Sequence, residues 1–126
     1  MSGPLRISEL GSTWFIDLDG TIFAHNGYLS EAGEQLLPGV REFWAAIRDN
    51  DMVVIITARS EEYRGVTEAA LRKFDLRYST LIMNAPHGER VLVNDTKPSG
   101  MRTAFAINVP RNVGLRECLV SRDPNI

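Results

Sequence analysis

Residues 13–21 read TWFIDLDGT, an apolar run that stops abruptly at two aspartates separated by one leucine. A near-continuous run of β-branched and aromatic residues suits a strand buried on both faces of a parallel sheet, so residues 13–17 are read as a first strand. Residues two apart on extended backbone point the same way, so Asp17 and Asp19 should face one place. Two carboxylates about 4 Å apart repel by roughly 4 kcal/mol at an effective dielectric near 20, and something must compensate that repulsion. A hard divalent cation is the obvious candidate, and oxygen-rich ligation by few protein groups suits Mg²⁺.

Working outward, Pro38 and Gly39 introduce a segment in which Val40, Phe43, Trp44 and Ile47 recur at helical spacing. Residues 52–57, MVVIIT, are a second strand. A second helix follows over 61–74, with a stripe formed by Tyr63, Val66, Ala70 and Phe74. Short apolar runs at 80–83 (TLIM), 90–94 (RVLVN) and 104–108 (AFAIN) read as three further strands. Strands alternating with helices imply right-handed crossovers and a parallel, three-layer, Rossmann-like α/β sheet. Ligands of such sheets gather at the carboxyl ends of the strands. That rule should bring Asp17, Asp19, Thr57 and Asp95 together from three separated segments. The run 109–126 carries mixed signals and no assignment.

The chain has 126 residues, which fits one domain, with residues 1–12 read as a loosely ordered N-terminal extension. A formal net charge of −2 gives no general field that would attract nucleic acid or an anionic membrane, so an anionic substrate must be held locally. The single cysteine, Cys118, is too far from any matching base to suggest a nucleophile and is compatible with a reducing compartment. The expected location is the cytoplasm, because no apolar run approaches a membrane span and Met1 to Leu10 lack the regions of a secretory signal. His25 and His87 lie in loops without metal-ligand spacing, His25 being the better placed to touch a substrate.

The sequence FIDLDGTI resembles the first signature of phosphatases of the haloacid dehalogenase (HAD) superfamily, an Asp-x-Asp-x-Thr motif after a hydrophobic strand. The resemblance implies a Mg²⁺-dependent phosphomonoester hydrolase working through an aspartyl phosphate. Asp17 would be the nucleophile and Asp19 the general acid and then base, with Gly20 and Thr21 on the phosphate. Thr57, in VVIITAR, matches the second signature as a hydroxyl for a phosphoryl oxygen, and Arg59 could add a guanidinium to the phosphate or the substrate. The remaining signatures are compressed into RVLVNDTKP. There Asp95 would complete the metal site with Asp17 and Asp19, Asn94 would be a weaker ligand, and Lys97 would neutralise the phosphate, with Arg90 as runner-up.

NDTKP followed by TAFAINVPRN is similar to small phosphatases encoded with capsular polysaccharide biosynthesis genes, which implies a sugar phosphate as substrate. About 35 residues separate Asp19 from Thr57, and about as many separate Thr57 from Asp95, so no cap domain fits in either interval. Water exclusion would then fall to a short flap over 22–29, to a neighbouring subunit in a homo-oligomer, or to a large substrate. Two other functions stay open. One is a polynucleotide end phosphatase, disfavoured by the charge. The other is a non-catalytic phosphate-binding or receiver-like module, which would take its phosphorylated Asp from a later strand where TLIMNA has none.

Overall fold

The computed structural model describes residues 4–126. Its centre is a parallel three-stranded sheet of β2 (Thr13–Asp17), β3 (Met52–Ile56) and β4 (Thr80–Ile82), in that spatial order. Helix α1 (Val40–Ala45) connects β2 to β3, and α2 (Arg64–Lys73) connects β3 to β4. The coarse expectation of an α/β fold with parallel strands therefore holds. Within the segment read as a loose extension, Leu5–Ile7 form a strand, β1, which pairs in parallel with β5 (Val120–Arg122) from the unassigned tail.

The layering differs from expectation. Register aligns Trp14 with Val53 and Ile16 with Ile55 and Leu81, and this face is buried in one cluster with Val40, Ala70 and Leu71 from the helices. Phe15 aligns with Val54 and Thr80 on the opposite face, where Phe15 is 57% exposed and Met52 51%. Two layers are present rather than three, because both crossovers lead in the same direction across the sheet and leave both helices against one face. The expectation that β2 is buried on both faces fails for the same reason.

The helices follow the sequence with two adjustments. α1 closes at Ala45 because the N–H groups of Ala46 and Ile47 turn back three residues to Phe43 and Trp44, yet Ile47 still packs on the core. In α2 the buried positions are Thr67, Ala70 and Leu71, whereas Val66 is exposed. The stripe is rotated by one residue because the Thr67 hydroxyl is drawn inward, donating to the Tyr63 carbonyl at 2.7 Å and accepting from Arg59 at 2.9 Å.

Residues 90–94 and 104–108 are not strands. A turn at Lys97, whose N–H donates to the Met101 carbonyl at 3.0 Å, folds the two runs back on each other. The Asn94 side chain, donating to Thr103, and the Thr103 hydroxyl, donating to the Asp95 carbonyl, also tie them together. An isolated two-stranded ribbon is marginal in water, and this one has no sheet to join: Val91 is 83% and Val93 88% exposed. No helix among the described residues is long and apolar enough to cross a membrane.

Candidate functional site

The loop after β2 aims its polar groups by burying the residue between them. Leu18 is fully buried, and its carbonyl accepts from the N–H groups of Thr21, Ile22 and Phe23, so the chain reverses at once and leaves the Asp17 and Asp19 carboxylates outside. Gly20 sits in this reversal at φ +84, a conformation glycine adopts without strain, and its N–H donates to the Phe23 carbonyl at 2.7 Å. Asp17 pairs in register with Ile56, so Thr57, one residue further, lies at the same carboxyl end of the sheet.

Each aspartate meets an arginine. Arg90 Nη1 lies 2.8 Å from Asp17 Oδ1, and the Thr21 hydroxyl donates to Asp17 Oδ2 at 3.0 Å. Arg59 Nε and Nη2 grip the two oxygens of Asp19 at 3.0 and 2.9 Å, while its Nη1 and Nη2 hold Glu34 at 2.6 and 2.9 Å. The guanidinium of Arg59, 3% exposed as a residue, also lies 3.9 Å from the centre of the Tyr28 ring. Burial alone would make Arg59 easier to deprotonate, but its hydrogen bonds to Asp19 and Glu34 outweigh that and raise its pKa. Burial, reinforced by the charge of Asp19, pushes the Tyr28 hydroxyl up as well.

Thr57 is fully buried, and its Oγ1 accepts the Arg59 N–H at 3.1 Å and stands 3.5 Å from Asp19 Oδ2, at the outer limit of a hydrogen bond. The flap is better ordered than a lid: Ile22 and Phe23 are fully buried, and the Ala24 N–H donates to Gln35 and the Leu37 N–H to Ile22, which makes a short antiparallel return. The His25 N–H donates to Asn112 at 2.8 Å, while its Nδ1 is buried without a partner among the described residues. His87 is exposed.

Not every expected residue arrives. Asp17, Asp19, Gly20, Thr21, Thr57, Arg59 and Arg90 are brought to one end of the sheet. Asn94, Asp95 and Lys97 are not: they lie on the exposed ribbon, and Lys97 forms no ion pair with Asp17, whose partner is Arg90. Their displacement follows from the missing strand at 90–94, at whose carboxyl end Asp95 would lie. Among the described residues no group of three or more His, Cys, Asp or Glu side chains could hold a metal ion. The assembled donors do not fit Mg²⁺: the carboxylates of Asp17 and Asp19 are occupied by guanidinium and hydroxyl groups, and the third acid is elsewhere.

Glu34, Tyr28 and Thr67 carry no signal of their own in the sequence, because they reach Arg59 from a loop, a single 3-10 turn (Gly27–Leu29) and the buried side of a helix. A surface cleft of about 350 Å³ lies apart from these groups, lined by Arg41, Trp44, Asp75 and Arg77 among others, and holds none of the paired carboxylates described above. Comparison with protein-family models, with curated proteins and with solved structures finds no match for this chain.

Proposed function

We propose that the chain is a phosphomonoester hydrolase of the HAD type, with Asp17 as nucleophile and a sugar phosphate as substrate. The observation that carries this reading is the pairing of two adjacent acids with two separate guanidinium groups at the carboxyl end of a parallel sheet. A carboxylate oxygen of Asp17 attacks phosphorus and the bond to the ester oxygen breaks, giving an aspartyl phosphate and an alcohol whose proton comes from Asp19. Asp19 then takes a proton from water, whose oxygen attacks the same phosphorus and releases inorganic phosphate and free Asp17. Arg90 supports the reading as the group beside Asp17 able to neutralise charge on the transferring phosphoryl oxygens. Arg59 orients Asp19, and Thr21 orients Asp17.

The resemblance also implies Mg²⁺. Holding it beside Asp17 requires Asp95 to come alongside β2, and assay with and without a chelator tests that requirement. A neighbouring subunit is proposed to cover the open site, supported by the exposure of Phe15 and Met52 on the outer face of the sheet. Release of phosphate from an aryl phosphate ester, with Asp17→Asn as control, tests the reaction. Turnover that Asp17→Asn abolishes supports it, and no turnover in the unmodified protein favours a phosphate-binding module.

A further inference from the structure

The unassigned tail contains the segment most firmly seated on the proposed site. The Asn112 N–H donates to the Gly20 carbonyl at 2.9 Å, and Asn112 Oδ1 accepts from the His25 N–H at 2.8 Å. Three residues on, the Leu115 N–H donates to the Pro38 carbonyl at 2.8 Å, and Gly114, at φ +96, runs so close to Pro38 that a Cβ would overlap its carbonyl oxygen. The N–H of Val113 reaches back to Pro110 at 3.3 Å, so Arg111 sits in a turn that Asn112 and Leu115 anchor on its C-terminal side.

The Arg111 side chain lies along Gly20. A Cβ built on Gly20 would stand 3.0 Å from Arg111 Cγ and 3.8 Å from its Nε. Gly20 directly follows Asp19 and lies three residues beyond Asp17, a chain reach of about 10 Å at most and the dimension of a small phosphate ester. Among the described residues no carboxylate comes within ion-pair distance of Arg111, although Arg59 and Arg90 are both paired. The scissile phosphate has Arg90 beside the nucleophile, so the guanidinium at the rim is left for a different group of the substrate.

We propose that Arg111 is a specificity-determining residue, forming an anion subsite at the rim and receiving a second negatively charged group, a carboxylate or a further phosphate, on the ester whose phosphate lies at Asp17. This rests on the phosphatase reading above. A planar guanidinium offers two parallel donors to a carboxylate or phosphate and gains little from a neutral hydroxyl, so it selects substrates by charge.

The test uses two esters with the same skeleton, phosphoglycolate and ethylene glycol monophosphate, which differ by the carboxylate alone. The unmodified protein should prefer phosphoglycolate by about tenfold in kcat/KM. Arg111→Ala should remove that preference through KM on the charged ester and leave the neutral ester unchanged, and Arg111→Lys should restore part of it. No preference in the unmodified protein, or equal losses on both esters in Arg111→Ala, would overturn the subsite. If neither ester turns over, the aryl phosphate assay decides the phosphatase reading, and calorimetric binding of the same pair decides Arg111 separately: a preference for the charged ester lost in Arg111→Ala supports the subsite, and equal binding overturns it.

Discussion

Asp17 and Asp19 differ in what they face, although only Leu18 separates them. Asp19 is clamped by an arginine that is itself buried and shared with Glu34, while Asp17 is held by a half-exposed arginine and one hydroxyl. An exposed partner can be displaced by an entering phosphate far more cheaply than a buried one, which suits Asp17 to attack and Asp19 to stay in place. Arg90→Met should therefore lower turnover of an aryl phosphate by about a hundredfold or more, the loss typical of removing a donor to developing charge. Lys97→Met should leave it within about threefold, and steady-state kinetics on the two variants checks both. The sequence made one half of this arrangement readable. Asp17 ends β2, with Asp19 and Thr57 just beyond β2 and β3, and a strand end is visible as the point where an apolar run meets a polar residue. Glu34 and Arg111 sit in loops and Tyr28 in a single 3-10 turn, all too short for periodicity, so their approach depends on turns that no local pattern encodes.

The connecting segments show the same division. The runs that became β2, β3 and β4 had helical segments between them to bring each strand back beside the last. Residues 90–94 and 104–108 have equal β composition but only the nine residues 95–103 between them and no seat on the sheet, and composition records an aptitude for pairing without naming the partner. The tail was unreadable for the opposite reason, since its anchoring rests on backbone contacts at Gly114 and Asn112 rather than on apolar periodicity. Gly114→Ala should lower the melting temperature and raise KM for the charged ester, because a side chain there pushes the 110–115 turn off Pro38 and takes Arg111 with it. Asp51, just before β3, ties separate segments together by accepting from the N–H groups of Ser12 and Arg48, from Trp14 Nε1 and from Arg122 Nη2. Burial alone would raise its pKa, but these hydrogen bonds overcome it and hold the group at about 2, against 3.8 normally. A carboxylate depressed on folding contributes stability above its unfolded pKa and loses it as the pH falls through the folded one. Asp51 should then supply about 2 kcal/mol at neutral pH, lost between about pH 4 and pH 2. Denaturant titrations from pH 7 down through that range should show Asp51→Asn destabilised at pH 7 and less sensitive to acid than the unmodified protein.

Taken together, the molecule is a helix-backed sheet whose other face is open at its edges, with Val54 buried at its centre. Phe15 and Met52 lie exposed on that face, and Val91 and Val93 are exposed on the ribbon of 90–108, apolar surface of the kind that associating proteins cover. A homo-oligomer is the occupant proposed here, and Phe15→Asp should shift the protein toward monomer in sedimentation velocity with little loss of folding stability, since the side chain is already in water. An unmodified protein that sediments as a monomer at all concentrations would contradict that proposal. The fold class was readable in advance because crossover order follows from alternating elements; the number of layers was not, because it depends on which way each crossover turns. The account as a whole stands on covalent catalysis at Asp17. Quenching the protein during turnover of an aryl phosphate and reducing it with borohydride should convert Asp17, through its acyl phosphate, to homoserine, identified by peptide mass spectrometry and absent without substrate. Phosphate release with Asp17 unmodified, or the reduced residue found elsewhere in the chain, would contradict it.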